Sequence, residues 1–440
     1  MKAISLFSSA GIGDLAFQNL PIEVLLSCEL IEERHQVYLH NFPNSYPCTG
    51  DIWELKDTII EKTKELLQGD VLDIFFATPP CQGMSKNGRG KLLQGVREGK
   101  KPALDPRNRL IIPTLQIAFA LKPRVIVFEN VPEMQHTMIE DCNGRLLPIL
   151  ELISEMLGEE YTGGGEVVEF ADYGVPQRRQ RLITVFTRDK ALIESMHKIG
   201  SLLPSRSHSP TGSGGLKRWS TVRNVISKMP SLDAKDSSSS NGDHPLHFVP
   251  LLDRDKYFWV SHTPPERSAF DNQCVECGYQ ENPTHFSERD KNGINRTSKD
   301  TPVRCFRCGE LLPRPWVRIG NEVRLMKGYT SAYKRMSWDL PASALTTNFA
   351  YACSDNKVHP SQNRVLSAYE ALMLHTVTDY KFEFKRADGK KVGSGLIYHI
   401  IGESIPPRGL EVIFRYLIAL LNGDKSLENK CKRKHMELAL

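Results

Sequence analysis

Short apolar runs alternate with longer amphipathic stretches through the first 190 residues. The runs at 3–7, 23–28, 71–77, 124–129, 166–171 and 181–186 have the length and composition of strands. Between them, 53–68, 107–121 and 145–157 space their apolar residues at helical intervals. That alternation predicts an α/β fold with a doubly wound, mostly parallel sheet. Sheets of this kind bind ligands in a crevice outside the carboxyl ends of their strands.

The pattern fades beyond residues 190–200. Ser209–Gly215 and Asp236–Gly242 read as loops, and 246–345 is rich in Pro, Arg and aromatic residues with weak periodicity. Irregular structure with short strands is expected there. Helical spacing returns at 363–375, where Ser367 and Glu370 form a capping box, and at 405–421, opened by Pro406-Pro407. The basic run Lys430–His435 reads as a solvated end, and no internal repeat is found.

Composition narrows the class. A chain of 440 residues allows two or three domains, and 40% apolar with 25% charged residues is ordinary for a soluble globular protein. No run of apolar residues is long enough to span a membrane, and the amino terminus lacks a signal-peptide pattern, so a cytoplasmic protein is expected. The net charge of +5 is unevenly placed: residues 201–345 hold 21 Lys+Arg against 15 Asp+Glu. That excess fits a polyanionic partner, although a solvated basic surface would look the same.

Four of the ten cysteines form two Cys-x-x-Cys-Gly pairs, Cys274/Cys277 and Cys305/Cys308. Four thiolates at such spacing suit a tetrahedral zinc ion in a reducing compartment. All four ligands being protein sulfur makes the expected role structural. Such a site contributes roughly 10–16 kcal/mol of apparent folding free energy in zinc-finger peptides. An iron site or free cysteines are the alternatives.

The chemistry gathers at strand ends. Pro79-Pro80-Cys81-Gln82 follows one apolar run and Glu129-Asn130-Val131 follows the next. Parallel strands would bring that thiol and that carboxyl to one edge, a combination suited to covalent catalysis with proton delivery. Phe7–Gly13 follows the first strand, and Gly11 and Gly13 allow close backbone approach to a ligand. Glu29 ends the second strand, where an acidic residue commonly binds a ribose hydroxyl pair. Gly50-Asp51-Ile52 adds an acceptor and an apolar surface suited to an adenine ring.

Taken in order, Phe7–Gly13, Pro80-Cys81-Gln82, Glu129-Asn130-Val131, Gln177-Arg178-Arg179-Gln180-Arg181 and Gly402–Pro407 resemble the motifs of the DNA (cytosine-5) methyltransferases, most closely those of bacterial restriction-modification systems. The resemblance covers about residues 1–190 and 335–420. It implies a Rossmann-like S-adenosyl-L-methionine-dependent domain at 1–190, completed by 396–440. A target-recognition domain with the zinc site and a hinge at Thr346-Thr347-Asn348 would occupy 191–395. Phe7, Gly11 and Ile12 would line the cofactor site. Glu29 would take the ribose, Leu30 would pack on adenine, Asp51 and Ile52 would read the adenine edge, and Ser404 would meet the methionine end. The sequence departs from the family twice. Ser9 stands where glycine is usual, harmless if its φ is negative, and Glu403 stands where asparagine is usual.

The same resemblance implies the reaction. Cys81 would add to C6 of a flipped-out cytosine, Glu129 would hydrogen-bond or protonate N3, Arg181 would hold O2, and Arg179 would support the thiol and phosphate side. Met84–Lys91, with Arg97, Lys100 and Lys101, would form a lid that ends at Asp105–Leu110. Arg314, Arg318, Arg324 and Lys334 are candidate base readers. Double-stranded DNA is the expected partner, a monomer suffices, and a cognate endonuclease would act on the same site without needing to bind. Two other readings stay open: a tRNA cytosine-5 methyltransferase, and a catalytically silent zinc-dependent DNA-binding regulator.

Overall fold

The computed structural model describes residues 1–80, 105–285, 300–326 and 331–424, together with the backbone of two short strands, Ser287–Arg289 and Asn295–Thr297. Cys81, the expected lid at Met84–Lys91 and the basic run at 430–435 lie outside the described residues.

Seven strands form the central sheet: β1 (Lys2–Leu6), β2 (Glu23–Glu29), β3 (Tyr46–Thr49), β4 (Ile74–Ala77), β5 (Val125–Asn130), β6 (Thr162–Glu169) and β7 (Gln180–Thr187). Their order is β3-β2-β1-β4-β5-β7-β6, with β7 antiparallel to both neighbours and the other pairs parallel. Strand alternation sends successive side chains to opposite faces. Ile4, Leu6, Phe75, Ile126 and Phe128 meet helices α2 (Ile52–Leu67), α3 (Ile111–Leu121) and α4 (Ile149–Leu157) on one face. Ala3, Phe76, Val125, Val127 and Val185 meet α5 (Lys190–Ile199) and a long carboxyl-terminal helix, Pro407–Leu421, on the other. Phe414 of that helix packs edge-on against Phe17 and Phe76, with ring centroids 4.8 and 5.4 Å away. The sheet is thus covered on both sides, and the carboxyl-terminal helix closes the second face.

Several elements differ from the pattern-based expectation. β6 starts at Thr162 because Gly163, Gly164 and Gly165 pair with Phe186, Val185 and Thr184 of β7. Glycine carries no strand preference of its own, so only that pairing makes the segment a strand. Residues 146–148 form a hairpin with 138–140, not the start of a helix, and Pro106–Leu110 is a 3-10 turn ahead of α3. The run at 363–375 contributes only Ala368–Leu374 as helix, with the expected Ser367–Glu370 capping box. Ser394–Glu403 is a helix that the pattern did not indicate.

Residues 222–401 pack against the sheet domain along a seam in which Ala10, Ile12 and Leu15 meet Ile226, Leu345, Phe349, Leu372 and Ile401. The chain passes very close there. A β-carbon on Gly402 would collide with the backbone of Thr346 and Thr347, so no larger residue fits. Beyond the seam, Trp259, Phe270, Trp316, Tyr333 and Val358 form a separate small core. Regular elements are few there, and buried side chains satisfy the backbone. Arg314 donates to the carbonyls of Asn272, Pro283 and Pro302, and Arg335 to those of Thr263, Val260, His359 and Gln362. Arg364 and Glu370 make a fully buried ion pair at 2.6 Å. Arg314 is therefore corrected from a candidate base reader to an internal strut.

Candidate active site

β4 and β5 run parallel with Ala77 opposite Phe128, so the Thr78-Pro79-Pro80 turn leaves the sheet beside Glu129 and Asn130. Asn130 clips this junction. Its Nδ2 donates to the Pro79 carbonyl at 3.1 Å, and its Oδ1 accepts the Val131 N–H at 2.8 Å. The backbone that enters Cys81 is thereby tied to the end of β5.

Glu129 and Arg181 share one face of the antiparallel β5/β7 pair. Ile183 lies opposite Glu129, which makes Arg181 its diagonal neighbour. Arg181 Nε sits 2.8 Å from Glu129 Oε1. Burial raises the Glu129 carboxyl above its ordinary range, and the positive charges of Arg181 and Arg179 oppose that rise. The result is a carboxyl that accepts a proton more readily than a surface glutamate while staying held in place. Arg179, two residues earlier, turns into the interior. Its guanidinium donates to the carbonyls of Leu345 at 2.7 Å, Ser404 at 2.7 Å and Gly402 at 3.4 Å. It fastens the sheet rim to both sides of the seam, so what the structure assigns to it is positioning.

The loop after β1 forms the second part of the site. Phe7, Ser9 and Gly11 all have left-handed backbone, with φ of 59°, 48° and 84°. Ser9 is thus strained in the position where the resemblance expects glycine. Both oxygens of Glu29 accept backbone N–H groups, Oε2 from Ser9 at 2.9 Å and Oε1 from Ile31 at 3.0 Å. Burial raises the Glu29 carboxyl above its ordinary range. Leu30 is 65% exposed and Trp53 41% exposed. Asp51 caps α2 by accepting the Trp53 N–H at 2.9 Å. Ile12 and Ile52 point elsewhere: they are buried in the seam and in the first face's core, so their side chains offer no open surface. Trp53, which sequence reasoning passed over, is an exposed aromatic beside Asp51.

Two observations test whether this crevice suits a nucleoside-bearing cofactor. A β-carbon on Gly11 would press to 2.7 Å from Phe42 and 2.8 Å from Tyr38, so the loop is drawn close against α1 (Glu32–Asn41). The Ser9 hydroxyl is buried with no hydrogen-bond partner among the described residues. A tight left-handed loop with an unsatisfied donor fits a polar ligand. Ser404 differs: its hydroxyl donates to the Ile401 carbonyl at 2.9 Å and lies 3.1 Å from His375 Nε2. His375 Nδ1 in turn faces Gln177 Nε2 at 3.0 Å, and burial keeps the imidazole neutral. Neither His375 nor Arg34, which pairs with Glu403 at 2.6 Å, carried a sequence signal beyond its residue type.

The four cysteines come together. Their Sγ atoms all lie within 4.8 Å of one another, with Cys274–Cys308 and Cys274–Cys277 at 3.6 Å and Cys277–Cys305 at 3.7 Å. Zinc–sulfur bonds of about 2.3 Å in a tetrahedron place the sulfurs roughly 3.8 Å apart, so the donor set fits that ion. Buried Asn282 supports the cluster: its Oδ1 accepts the Phe306 N–H at 2.9 Å and its Nδ2 faces Cys305 Sγ at 3.7 Å. Of the remaining candidate base readers, Arg318 and Arg324 are exposed on a hairpin formed by Trp316–Ile319 and Glu322–Leu325, and Arg318 lies over the Trp316 ring at 5.2 Å. Lys334 is half-buried.

Comparison with known proteins converges on one family. The family described as C-5 cytosine-specific DNA methylase matches residues 1–419. Type II methyltransferase M1.HgaI of Avibacterium volantium is 29% identical over 426 residues, covering 94% of this chain and 97% of the relative. Type II methyltransferase M.AgeI of Thalassovita gelatinovora is 23% identical, covering 92% and 96%. Among solved structures, the S. pombe Dnmt2 methyltransferase superposes with a TM-score of 0.53 at 12% identity, covering 96% of this chain and 99% of that one, a likeness of fold alone. No helix among the described residues is long and apolar enough to cross a membrane.

Proposed function

The chain belongs to the C-5 cytosine-specific DNA methylase family, and on that premise we propose that it is the modification methyltransferase of a Type II restriction-modification system, acting at a specific sequence in double-stranded DNA. The observation that carries this reading is the Glu129–Arg181 pair beside the clipped Pro79-Pro80 turn. A buried carboxyl with a raised pKa and a guanidinium then stand where the chain enters Cys81.

The residues divide the work as follows. The Cys81 thiolate adds to C6 of a cytosine turned out of the duplex, and the electron pair displaced from the ring makes C5 nucleophilic. Glu129 shares a proton with N3 and so neutralises the charge that develops there. Arg181 fixes Glu129 and presents its remaining donors towards O2. S-adenosyl-L-methionine, when bound, supplies the methyl group as a sulfonium electrophile. Loss of the C5 proton to a base then expels Cys81 and restores the aromatic ring. Glu29 and the loop at Phe7–Gly11 hold the cofactor's ribose, and Leu30, Trp53 and Asp51 its adenine. Arg179 positions the rim from behind. Cys274, Cys277, Cys305 and Cys308 would hold a zinc ion that shapes the recognition region, with Arg318 and Arg324 facing DNA.

The test is methyl transfer from labelled S-adenosylmethionine to unmethylated genomic DNA, with modified positions mapped at base resolution. Methylation at C5 within one short sequence is expected, and Cys81→Ala should abolish it while DNA binding remains. Incorporation at undiminished rate in that variant would remove the covalent mechanism. Incorporation into tRNA and not DNA would overturn the substrate.

A further inference from the structure

Three polar features converge beside the carboxyl ends of β1 and β2, and the Arg34–Glu403 pair among them has no role in the chemistry at cytosine. Arg34, in the first turns of α1, pairs with Glu403 at the end of helix Ser394–Glu403 at 2.6 Å. Both side chains still reach solvent, at 16% and 29% exposure. Arg34 Nε is buried and has no hydrogen-bond partner among the described residues. The Ser9 hydroxyl is in the same condition. Glu29 links the three: it accepts the Ser9 N–H, and it feels the charges of both Arg34 and Glu403.

A pair of opposite charges at a crevice mouth usually stabilises little. An unsatisfied buried donor costs more than such a pair gains, so a site that keeps two of them calls for a ligand. A ligand that fits carries an anion for the donors and a cation for the carboxylate, close together. An α-amino acid zwitterion has that charge pattern.

We infer that Arg34 and Glu403 form a clamp for the amino-acid end of the cofactor, Arg34 with the Ser9 hydroxyl donating to its carboxylate and Glu403 accepting from its ammonium. This rests on the cofactor reading above and extends it. It also explains how an acidic residue is accommodated at 403, because Arg34 neutralises it before the ligand arrives. The clamp recognises the zwitterion, and the β2 edge recognises the nucleoside. Arg34 and Glu403 are thus specificity residues that take no part in the chemistry at cytosine.

Two ligands separate the halves. S-adenosylhomocysteine carries the amino-acid end, and 5′-methylthioadenosine keeps the adenosine and thioether without it. Binding of each is measured by isothermal titration calorimetry with the full-length protein and its Arg34→Met and Glu403→Gln variants. Loss of a hydrogen-bonded charge predicts about 10- to 100-fold weaker S-adenosylhomocysteine binding for Arg34→Met and about tenfold for Glu403→Gln. Binding of 5′-methylthioadenosine should stay within about twofold. Glu403→Gln preserves shape, so it tests the claim even if Arg34→Met disturbs folding. Equal weakening of both ligands in Glu403→Gln, or no weakening of either, overturns the clamp. If the unmodified protein binds the two ligands equally, the clamp fails and the cofactor reading stands; if it binds neither, the cofactor reading itself fails.

Discussion

At the sheet edge, Glu129 and Arg181 are placed by a main-chain ladder, each strand held on both sides by its neighbours. Between 246 and 345 the order reverses, and side chains hold the main chain. Arg314 and Arg335 do there what hydrogen-bonded strands do in the sheet, and the four clustered thiols would do the same around a zinc ion. The difference shows where each region can change. A ladder with two packed faces tolerates little, because most side chains of its inner strands are committed to a core. A segment pinned at a few internal points leaves its outer hairpin, with Arg318 and Arg324, free to vary. One region suits fixed chemistry and the other suits adjustable recognition.

The strongest way to break this comparison is to remove a pin. Cys305→Ser should abolish stoichiometric zinc and expose 246–345 to proteolysis while the sheet amides keep their hydrogen-exchange protection. The expected loss is on the order of 10 kcal/mol of local stability. Unchanged metal content, or protection lost throughout the sheet, would show that the two regions are not held separately.

Arg314→Met is the next largest. It removes a fully buried guanidinium and strips donors from the carbonyls of Asn272, which is buried, and of Pro283 and Pro302, at about 3 kcal/mol. Arg318→Met should cost under about 0.5 kcal/mol in the same thermal denaturation and instead weaken binding to the preferred DNA site by about 1–3 kcal/mol and relax specificity at one base. Equal destabilisation by the two variants would erase the distinction between strut and reader.

Within the sheet domain, pH probes burial. Burial pushes the Asp14 carboxyl up to about 7 from 3.8, and Tyr38 donates to it at 2.8 Å. The folded state therefore holds this proton more tightly than the unfolded chain. Its contribution is fully present below about pH 4 and is lost as pH rises towards 7. Asp14→Asn should flatten that slope, gaining up to about 4 kcal/mol relative to the parent at pH 8. Parallel stability curves from pH 4 to 8 would refute the assignment.

The smallest effect sharpens the account of the loop. Ser9 has a left-handed φ of 48°, so Ser9→Gly should raise stability without cofactor by about 1 kcal/mol. A decrease would mean that the hydroxyl already has a stabilising partner.

Much of the site was legible in the chain because its residues follow strands directly. Glu29, Glu129 and Arg181 sit at or beside strand ends that apolar runs had marked, and the ends of adjacent strands converge by topology. The Cys-x-x-Cys pairs were equally readable, since metal spacing is local. What escaped depended on distant partners. The glycine-rich start of β6 became a strand through β7 alone. Arg314 and Arg318 are four residues apart and equally basic, and only the fold decides that one is interior and the other exposed. Ile12 and Ile52 had the right local position for a ligand, but packing turned them into the cores.

The sequence by itself determined the α/β class, the family motifs and the four-thiol cluster, because periodicity, strand-end chemistry and ligand spacing act over a few residues. The tertiary structure alone decided that Arg179 serves the seam, that Arg34 meets Glu403, and that Gly402 must be glycine. Each of those joins segments more than 50 residues apart. Their energies come from desolvation and close packing, which exist only once the segments have met.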